Sequence, residues 1–507
     1  MRTEKCSHHK EPLISVILDT LQKNKQALVF VNAKRSAEKS AEDIAKKLDT
    51  KTLALTHLSE KILSVLGSPT HQCERLANCI KKGVAFHHAG LHARQKEMIE
   101  DAFRNGTVRF ICCTPTLAAG LDLPAFRAII RDVKRYGERG LTDIPVLEYL
   151  QMAGRAGRPR FDSYGEAIII TANPVDKERV WDKYVHGSPE EIYSKLAVEP
   201  VLRMHVLSLI AARVVNDLRE LYSFFEKTFW AHQYKDMFKL EQTVQKVVSL
   251  LEKWEFILLE EKGIRATMLG SRVAQLYIDP LTAHNIMQGL RKASNSRIHS
   301  ISWLFLASRA LEMRPWLRMK TKEFETLQEE LANHSTYLLE QEPDMFEPDY
   351  EEYMNSFKTS LMLHDWIEEK NEEFLLEHYD CRPGETRTKI ETADWLLYAA
   401  QEMSKLMQFM PLIKEISKVR FRLKYGAKEE LLPLLRLKEV GRVRARKLYA
   451  SGIKTLEDVR TAETSTLAKI IGVQIANKIK QQVGQETISD FNEQENFKLP
   501  ERQTTLE

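Results

Sequence analysis

Short apolar runs and amphipathic stretches alternate along the first third of the chain. Ala27-Leu-Val-Phe-Val31, Gly83-Val-Ala-Phe86, Val108–Cys113, Ala128–Val133 and Ala167–Thr171 are apolar and bounded by turn-forming residues. Such runs predict strands buried on both faces. Between them Ile14–Leu21, Ser36–Leu48, Ala93–Phe103 and Ile144–Met152 have helical spacing, with Ser36 placed as an N-cap. Strand and helix in alternation predict an α/β domain with a parallel sheet over residues 1–175. Beyond it the pattern is mostly helical. Helices from Glu199 onward, then a small strand pair around Gly263, fit a winged helix over 176–285. Thr282–Met407 reads as helix almost throughout, giving a helical domain over 286–410 whose Trp303, Trp316 and Trp366 sit at apolar positions. Pro383-Gly384 restarts the chain into Arg387–Tyr398, a basic helical module covers 411–484, and a polar tail over 485–507 reads as disordered.

A length of 507 residues suits several domains of ~100–200 residues each. With 43% hydrophobic and 29% charged residues, the composition is that of a core-forming globular chain. No stretch reaches the ~18 apolar residues of a membrane span, and no apolar signal core follows Met1. Six cysteines without framework spacing point to a reducing compartment, so a cytoplasmic location is expected. Cys6, His8, His9, His71, Cys73 and Cys79 match no usual zinc spacing, and no metal site is expected there. The net charge of +4 hides an asymmetry. Thr321 to Asp380 holds 3 basic and 18 acidic residues, a net of −15, whereas Ile413 to Gly484 holds 17 and 7, a net of +10. The basic module implies contact with a polyanion, and the acidic run reads as a solvated face.

The candidate chemistry lies between Thr114 and Arg158. Thr114-Pro-Thr-Leu-Ala-Ala-Gly-Leu-Asp-Leu-Pro124 follows a predicted strand, and strand ends of open α/β sheets are where ligands sit. Gln151-Met-Ala-Gly-Arg-Ala-Gly-Arg-Pro159 starts within a helical pattern. Its Arg155 and Arg158, three positions apart, are expected to point the same way, as a pair suited to a triphosphate. Read alone, that motif is equally a basic loop. Between the two motifs, Arg131–Asp143 has the glycines and flanks of a β-hairpin carrying Lys134, Arg135, Tyr136 and Arg139. That set suits base stacking and phosphate contact, or a plain surface hairpin. His87 and His88, adjacent on a turn, read as structural or as backbone contacts.

The two motifs resemble motifs V and VI of superfamily 2 helicases. With Phe86-His-His-Ala-Gly-Leu91, Thr267-Met-Leu-Gly270 and Leu276-Tyr-Ile-Asp-Pro280, the wording is similar to archaeal Hjm-type repair helicases, relatives of the helicase part of DNA polymerase theta. The likeness runs from about Pro12 to Phe491. It implies a second RecA-like domain, a winged helix, a helical ratchet domain and a helix-hairpin-helix. In the latter, Leu437–Leu448 and Leu467–Ile479 form the halves, and Glu439 stands where the first hairpin glycine is usual. The resemblance also implies an ATP-dependent 3′-to-5′ DNA helicase of repair and stalled-fork processing, using ATP and Mg2+ on single-stranded and forked DNA. Catalytic roles fall to Arg155 and Arg158, and nucleotide-binding roles to Gly120, Asp122 and Gln151. Nucleic-acid contacts fall to Thr114, Arg135, Tyr136, Arg387, Trp395, Arg442, Arg444, Arg446 and Lys447. Trp395 has a second reading as core. No Gly-x-x-x-x-Gly-Lys-Ser/Thr and no Asp-Glu-x-His occurs, so the first RecA-like domain is expected to come from elsewhere. Gln485–Phe491 resembles a sliding-clamp peptide, or a chance match. The alternative function is an ATPase-inactive DNA-binding protein or interaction platform.

Overall fold

The computed structural model describes residues 11–50, 52–118, 123–137, 140–158, 162–261 and 263–485. They fall into two compact units: the described residues up to Glu191 with Asp380–Thr386, and Ile192–Tyr379 with the described residues from Arg387 onward.

The first unit is built on a five-stranded parallel sheet. Its strands are β1 (Ala27–Phe30), β2 (Val84–His87), β3 (Phe110–Cys113), β4 (Arg127–Ile130) and, after a hairpin, β7 (Glu166–Ile169), in the order β2-β3-β1-β4-β7. Every residue of β1 to β4 is buried, as a sheet covered on both faces requires. The register aligns Phe30 with Cys113 on one side and with Ile130 on the other. Helices α1 (Pro12–Gln22), α2 (Lys34–Ala45), α3 (Leu53–Leu63), α4 (His71–Ile80), α5 (Ala93–Arg104) and α6 (Val146–Ala153) accompany the sheet, and α7 (Pro174–Val180) follows it. The α/β reading is therefore correct, with strand ends shifted by up to three residues. One cap is not. α2 begins at Lys34 behind Ala33, so Ser36 lies inside the first turn, where its hydroxyl meets Asn32 Oδ1 at 3.3 Å. The expected hairpin is present as β5 (Lys134–Gly137) and β6 (Gly140–Asp143), paired antiparallel.

The second unit is mostly helical. Helices α8 (Glu199–Ala211), α9 (Leu218–Glu226), α10 (Phe229–Tyr234), α11 (Met237–Lys253) and α12 (Met268–Leu276) surround the antiparallel pair β8 (Ile257–Glu260) and β9 (Gly263–Ala266). This is the winged-helix arrangement expected around Gly263. Next come α13 (Pro280–Ala293), α14 (Ser300–Ser308), α15 (Phe324–His334), α16 (Tyr350–Ile367) and α17 (Glu372–Tyr379). All nine residues of α14 are buried, Trp303 and Phe305 among them, which makes it the centre of the bundle. The 24-residue α18 (Pro383–Leu406), which belongs to this unit from Arg387 onward, and α19 (Met410–Tyr425) follow. Last are α20 (Arg442–Ala450), α21 (Leu456–Thr461), α22 (Thr464–Ile471) and α23 (Val473–Gln485), which share a small core of Leu431, Leu434, Leu448, Leu467 and Ile479.

Candidate functional site

β3 delivers Thr114 to the carboxyl end of the sheet. Its N–H donates to the His87 carbonyl at 3.3 Å, and its hydroxyl lies 2.9 Å from that of Thr116. Gly120 and Asp122 fall at 119–122, outside the described residues. The chain is described again from Leu123, and Ala125 bridges to Ala156 just ahead of β4. The second motif is thereby stitched to the sheet. Gln151 is exposed on α6.

The two arginines do not point the same way. α6 ends at Ala153, and Gly157 then takes φ +100°, a left-handed conformation suited to glycine, so helical spacing never reaches Arg158. The Arg155 guanidinium donates to the Ala118 carbonyl, with Nε at 3.0 Å. Arg158 turns to the opposite end of β1, where Nη1 donates to Gln26 Oε1 at 2.6 Å and Nε to Asp162 Oδ2 at 2.6 Å. Asp162 also receives Lys25. The hydrogen bond from Arg158 is the main reason that its carboxyl lies below the usual range. Arg155 therefore braces the first motif, while Arg158 belongs to a charged cluster with Lys25 and Asp162. Sequence reading missed Lys25 and Gln26, because nothing local signals partners 137 and 132 positions away, and it passed over Asp162 although it lies only four positions from Arg158. Both guanidiniums are half-buried donors of the kind that bind polyphosphate. Among the described residues no group of three or more His, Cys, Asp and Glu side chains is arranged to hold a metal ion. Cys73 Sγ lies 3.3 Å from the Thr70 hydroxyl and accepts from Gln95 Nε2 at 3.3 Å.

A second cluster was not legible either. Glu38, 3% exposed on α2, accepts from Gln72 Nε2 at 2.8 Å and pairs with Arg75 at 2.8 Å. His88 Nε2 lies 3.2 Å and Arg382 Nε 3.4 Å from Glu38 Oε1. The Gly90 N–H donates to His88 Nδ1 at 3.1 Å, which places the ring proton on Nε2, facing the carboxylate. Burial raises the Glu38 pKa, but the bonds from His88 and Gln72 and the Arg382 charge outweigh it, leaving about 2. Burial likewise keeps His88 below its ordinary value. Arg382 arrives on Asp380–Thr386, where Lys34 pairs with Glu385 and the Gly384 N–H donates to the Gly90 carbonyl at 3.0 Å. A Cβ on Gly384 would stand 2.3 Å from the Leu91 carbonyl oxygen, so only glycine fits. His88 is structural in this setting.

On the hairpin, Arg135 Nη1 pairs with Glu148 Oε2 at 2.8 Å, while the side chain of Tyr136 lies outside the described residues. In the second unit Arg387 is exposed on α18 and pairs with Glu391 at 2.7 Å. Trp395 is half-buried, and its Nε1 donates to the Leu276 carbonyl at 3.1 Å. The basic quartet on α20 divides. Arg442 stacks 4.4 Å from the Trp366 ring and donates to the Lys370 carbonyl. Arg446 forks onto Glu369 at 2.8 and 2.6 Å and reaches Glu430. Those two are turned into the unit, whereas Arg444 and Lys447 are exposed. Glu439 adopts φ +68° in place of the usual glycine, and its carboxylate pairs with Lys478. Of the clamp-like peptide, only the backbone of Gln485 is described.

Four family models match: helicase conserved C-terminal domain over 53–160, helix-turn-helix domain over 165–258, archaeal helicase domain 4 over 301–426, and a helix-hairpin-helix tandem over 431–484. The ATP-dependent DNA helicase Hel308 of Methanococcus vannielii is 40% identical over 94% of this chain and 69% of its own length. The chain belongs to the Hel308 DNA helicase family. Hel308 of Pyrococcus abyssi is also 40% identical, over 93% of this chain and 66% of its own. This member thus spans about two thirds of the length of the Hel308 proteins it matches. The helicase C-terminal match covers both arginine positions and the hairpin. No helix among the described residues is long and apolar enough to cross a membrane.

Proposed function

We propose that the chain supplies the second RecA-like, winged-helix, ratchet and helix-hairpin-helix parts of an ATP-dependent 3′-to-5′ DNA helicase acting in repair and on stalled forks. The observation carrying this reading is the Arg155–Ala118 contact, which ties the two helicase motifs together on a parallel sheet. Arg155 and Arg158 would hold the polyphosphate, with Gln151, Gly120 and Asp122 beside it. Hydrolysis of bound ATP with Mg2+ supplies the free energy for movement. The phosphate loop and the magnesium-binding acid come from a first RecA-like domain outside these residues. Arg155 positions the first motif through the Ala118 carbonyl, and Arg158 must leave or share Asp162 to reach a phosphate. Trp395 and Arg387 hold single-stranded DNA, while Thr114, Arg135 and Tyr136 meet it on the RecA-like part. Arg444 and Lys447 form the helix-hairpin-helix contact with phosphates, while Arg442 and Arg446 hold the helix that carries them. A sliding clamp at Gln485–Phe491 is a further proposed partner.

The test adds a separately expressed first RecA-like domain to the chain and follows DNA-stimulated phosphate release. Turnover should appear on mixing and fall at least ~100-fold with Arg155→Ala, the scale on which a lost electrostatic stabiliser acts. Turnover indifferent to both Arg155→Ala and Arg158→Ala would sink the reading. The second reading, a DNA-binding protein or platform without turnover, draws on the engagement of Arg158 by Asp162. Recovered turnover on mixing excludes it.

A further inference from the structure

Leu276 closes α12, and the next residue breaks the backbone rules. Tyr277 has φ +57° and ψ +30°, the left-handed region where a bulky side chain is strained. Helices commonly end in this conformation, but with glycine. Here the ring is 65% exposed. The fold therefore holds a large aromatic in an unfavourable backbone state without burying it, so packing does not account for its presence.

The neighbouring chain makes that state rigid. Two residues on, Asp279 is 3% exposed and accepts from Arg203 Nε and Nη2, each at 3.1 Å. Its carboxylate also caps α13 at the Leu281 N–H, 2.7 Å away, and its own N–H donates to Glu312 Oε1 at 2.7 Å. A buried, hydrogen-bonded charge network thus fixes the turn that carries Tyr277. From the other side, the Trp395 indole N–H ends on the Leu276 carbonyl, the residue immediately before Tyr277. An exposed aromatic on a fixed turn thus follows directly on the residue that accepts from the half-buried tryptophan of α18.

We propose that Tyr277 is a second base-stacking residue for single-stranded DNA, taking a base next to the one that stacks on Trp395. This rests on the reading of Trp395 as a DNA contact. Stacking on an aromatic face tolerates any base, as a translocating protein needs. Fixing the backbone that carries the ring leaves less main-chain entropy to lose when DNA arrives. The strain at Tyr277 is then the consequence of placing an aromatic where backbone geometry favours glycine.

The experiment measures binding of the full chain to a fluorescein-labelled thymidine oligonucleotide by anisotropy, without nucleotide. Tyr277→Gly removes the ring and relieves the strain, so its unfolding midpoint should equal or exceed wild type while affinity drops about tenfold. Tyr277→Phe should bind within about twofold of wild type. Tyr277→Gly should leave the salt dependence unaltered, because stacking releases few counterions. On an abasic strand of equal length, wild type and Tyr277→Gly should bind alike. If Trp395→Ala weakens binding but Tyr277→Gly does not, the Tyr277 proposal is overturned and the reading of Trp395 stands. If neither substitution weakens binding, the Trp395 reading falls as well.

Discussion

Single residues are where physical chemistry makes the sharpest demands on this fold. Glu38 is a buried carboxylate surrounded by Arg75, Arg382, Gln72 and His88, with a folded-state pKa of about 2 against an ordinary 4.5. A depressed carboxylate contributes stability that is present above its unfolded pKa and lost as pH falls through the folded value. That share, up to ~3 kcal/mol by the linkage relation, should therefore disappear between about pH 5 and pH 2. Glu38→Gln should lower stability near pH 6 by about 3 kcal/mol, since it strips the anion from the buried Arg382 guanidinium and the half-buried Arg75. It should also flatten the acid limb, because an amide does not titrate. Thermal midpoints across pH 3–6 check both, and an unaltered acid limb in Glu38→Gln would contradict the assignment. Trp395 offers a second test. Its indole N–H is engaged by the Leu276 carbonyl, so Trp395→Phe should keep ring stacking while losing about 1 kcal/mol of stability. Trp395→Ala should weaken single-strand binding by ~1–3 kcal/mol. A Trp395→Ala chain that binds as wild type would return this residue to the core reading.

At the scale of elements, period and composition were legible and partnership was not. Five apolar runs identified five parallel strands, because a buried strand must be apolar regardless of its neighbours. The hairpin and the winged strand pair were visible for the same reason: glycine and strand-formers have local consequences. What failed were inferences that extended a local geometry past its end. Spacing predicts Arg155 and Arg158 as a helical pair, but the helix stops at Ala153 and Gly157 reverses the backbone. Composition predicts a uniform basic cluster on α20, yet Arg442 and Arg446 are drawn inward by Trp366 and Glu369, residues of another helix and its flank. That division yields a prediction the sequence alone would have drawn differently. Arg444→Ala with Lys447→Ala should lower the salt slope of DNA binding by about 0.7–0.9 per lost contact. Arg442→Ala with Arg446→Ala should instead lower the unfolding midpoint and leave that slope almost unchanged. Equal slope losses in both double variants would show that the inward pairing gives way to phosphate on binding.

For the whole molecule, the division of labour follows from which chemistry each part contains. The sheet unit carries arginines that suit a polyphosphate, the helical unit carries aromatic and basic side chains that suit DNA, and no phosphate-loop sequence occurs in either. Binding to DNA and turnover of ATP should therefore separate when the chain is studied by itself. The pure chain should bind single-stranded DNA with the same affinity in the presence and absence of a non-hydrolysable ATP analogue, because coupling requires differential affinity between two states and the proposed reading takes the phosphate loop from another domain. Its phosphate release should not rise above background when DNA is added. Adding the first RecA-like domain should restore both properties together: turnover, and a DNA affinity that depends on nucleotide. DNA-stimulated turnover by the pure chain, abolished by Arg158→Ala, would mean that these residues hold a complete nucleotide site. Restored turnover without any nucleotide effect on DNA affinity would mean that the arginines act on ATP but the DNA-binding unit does not sense it.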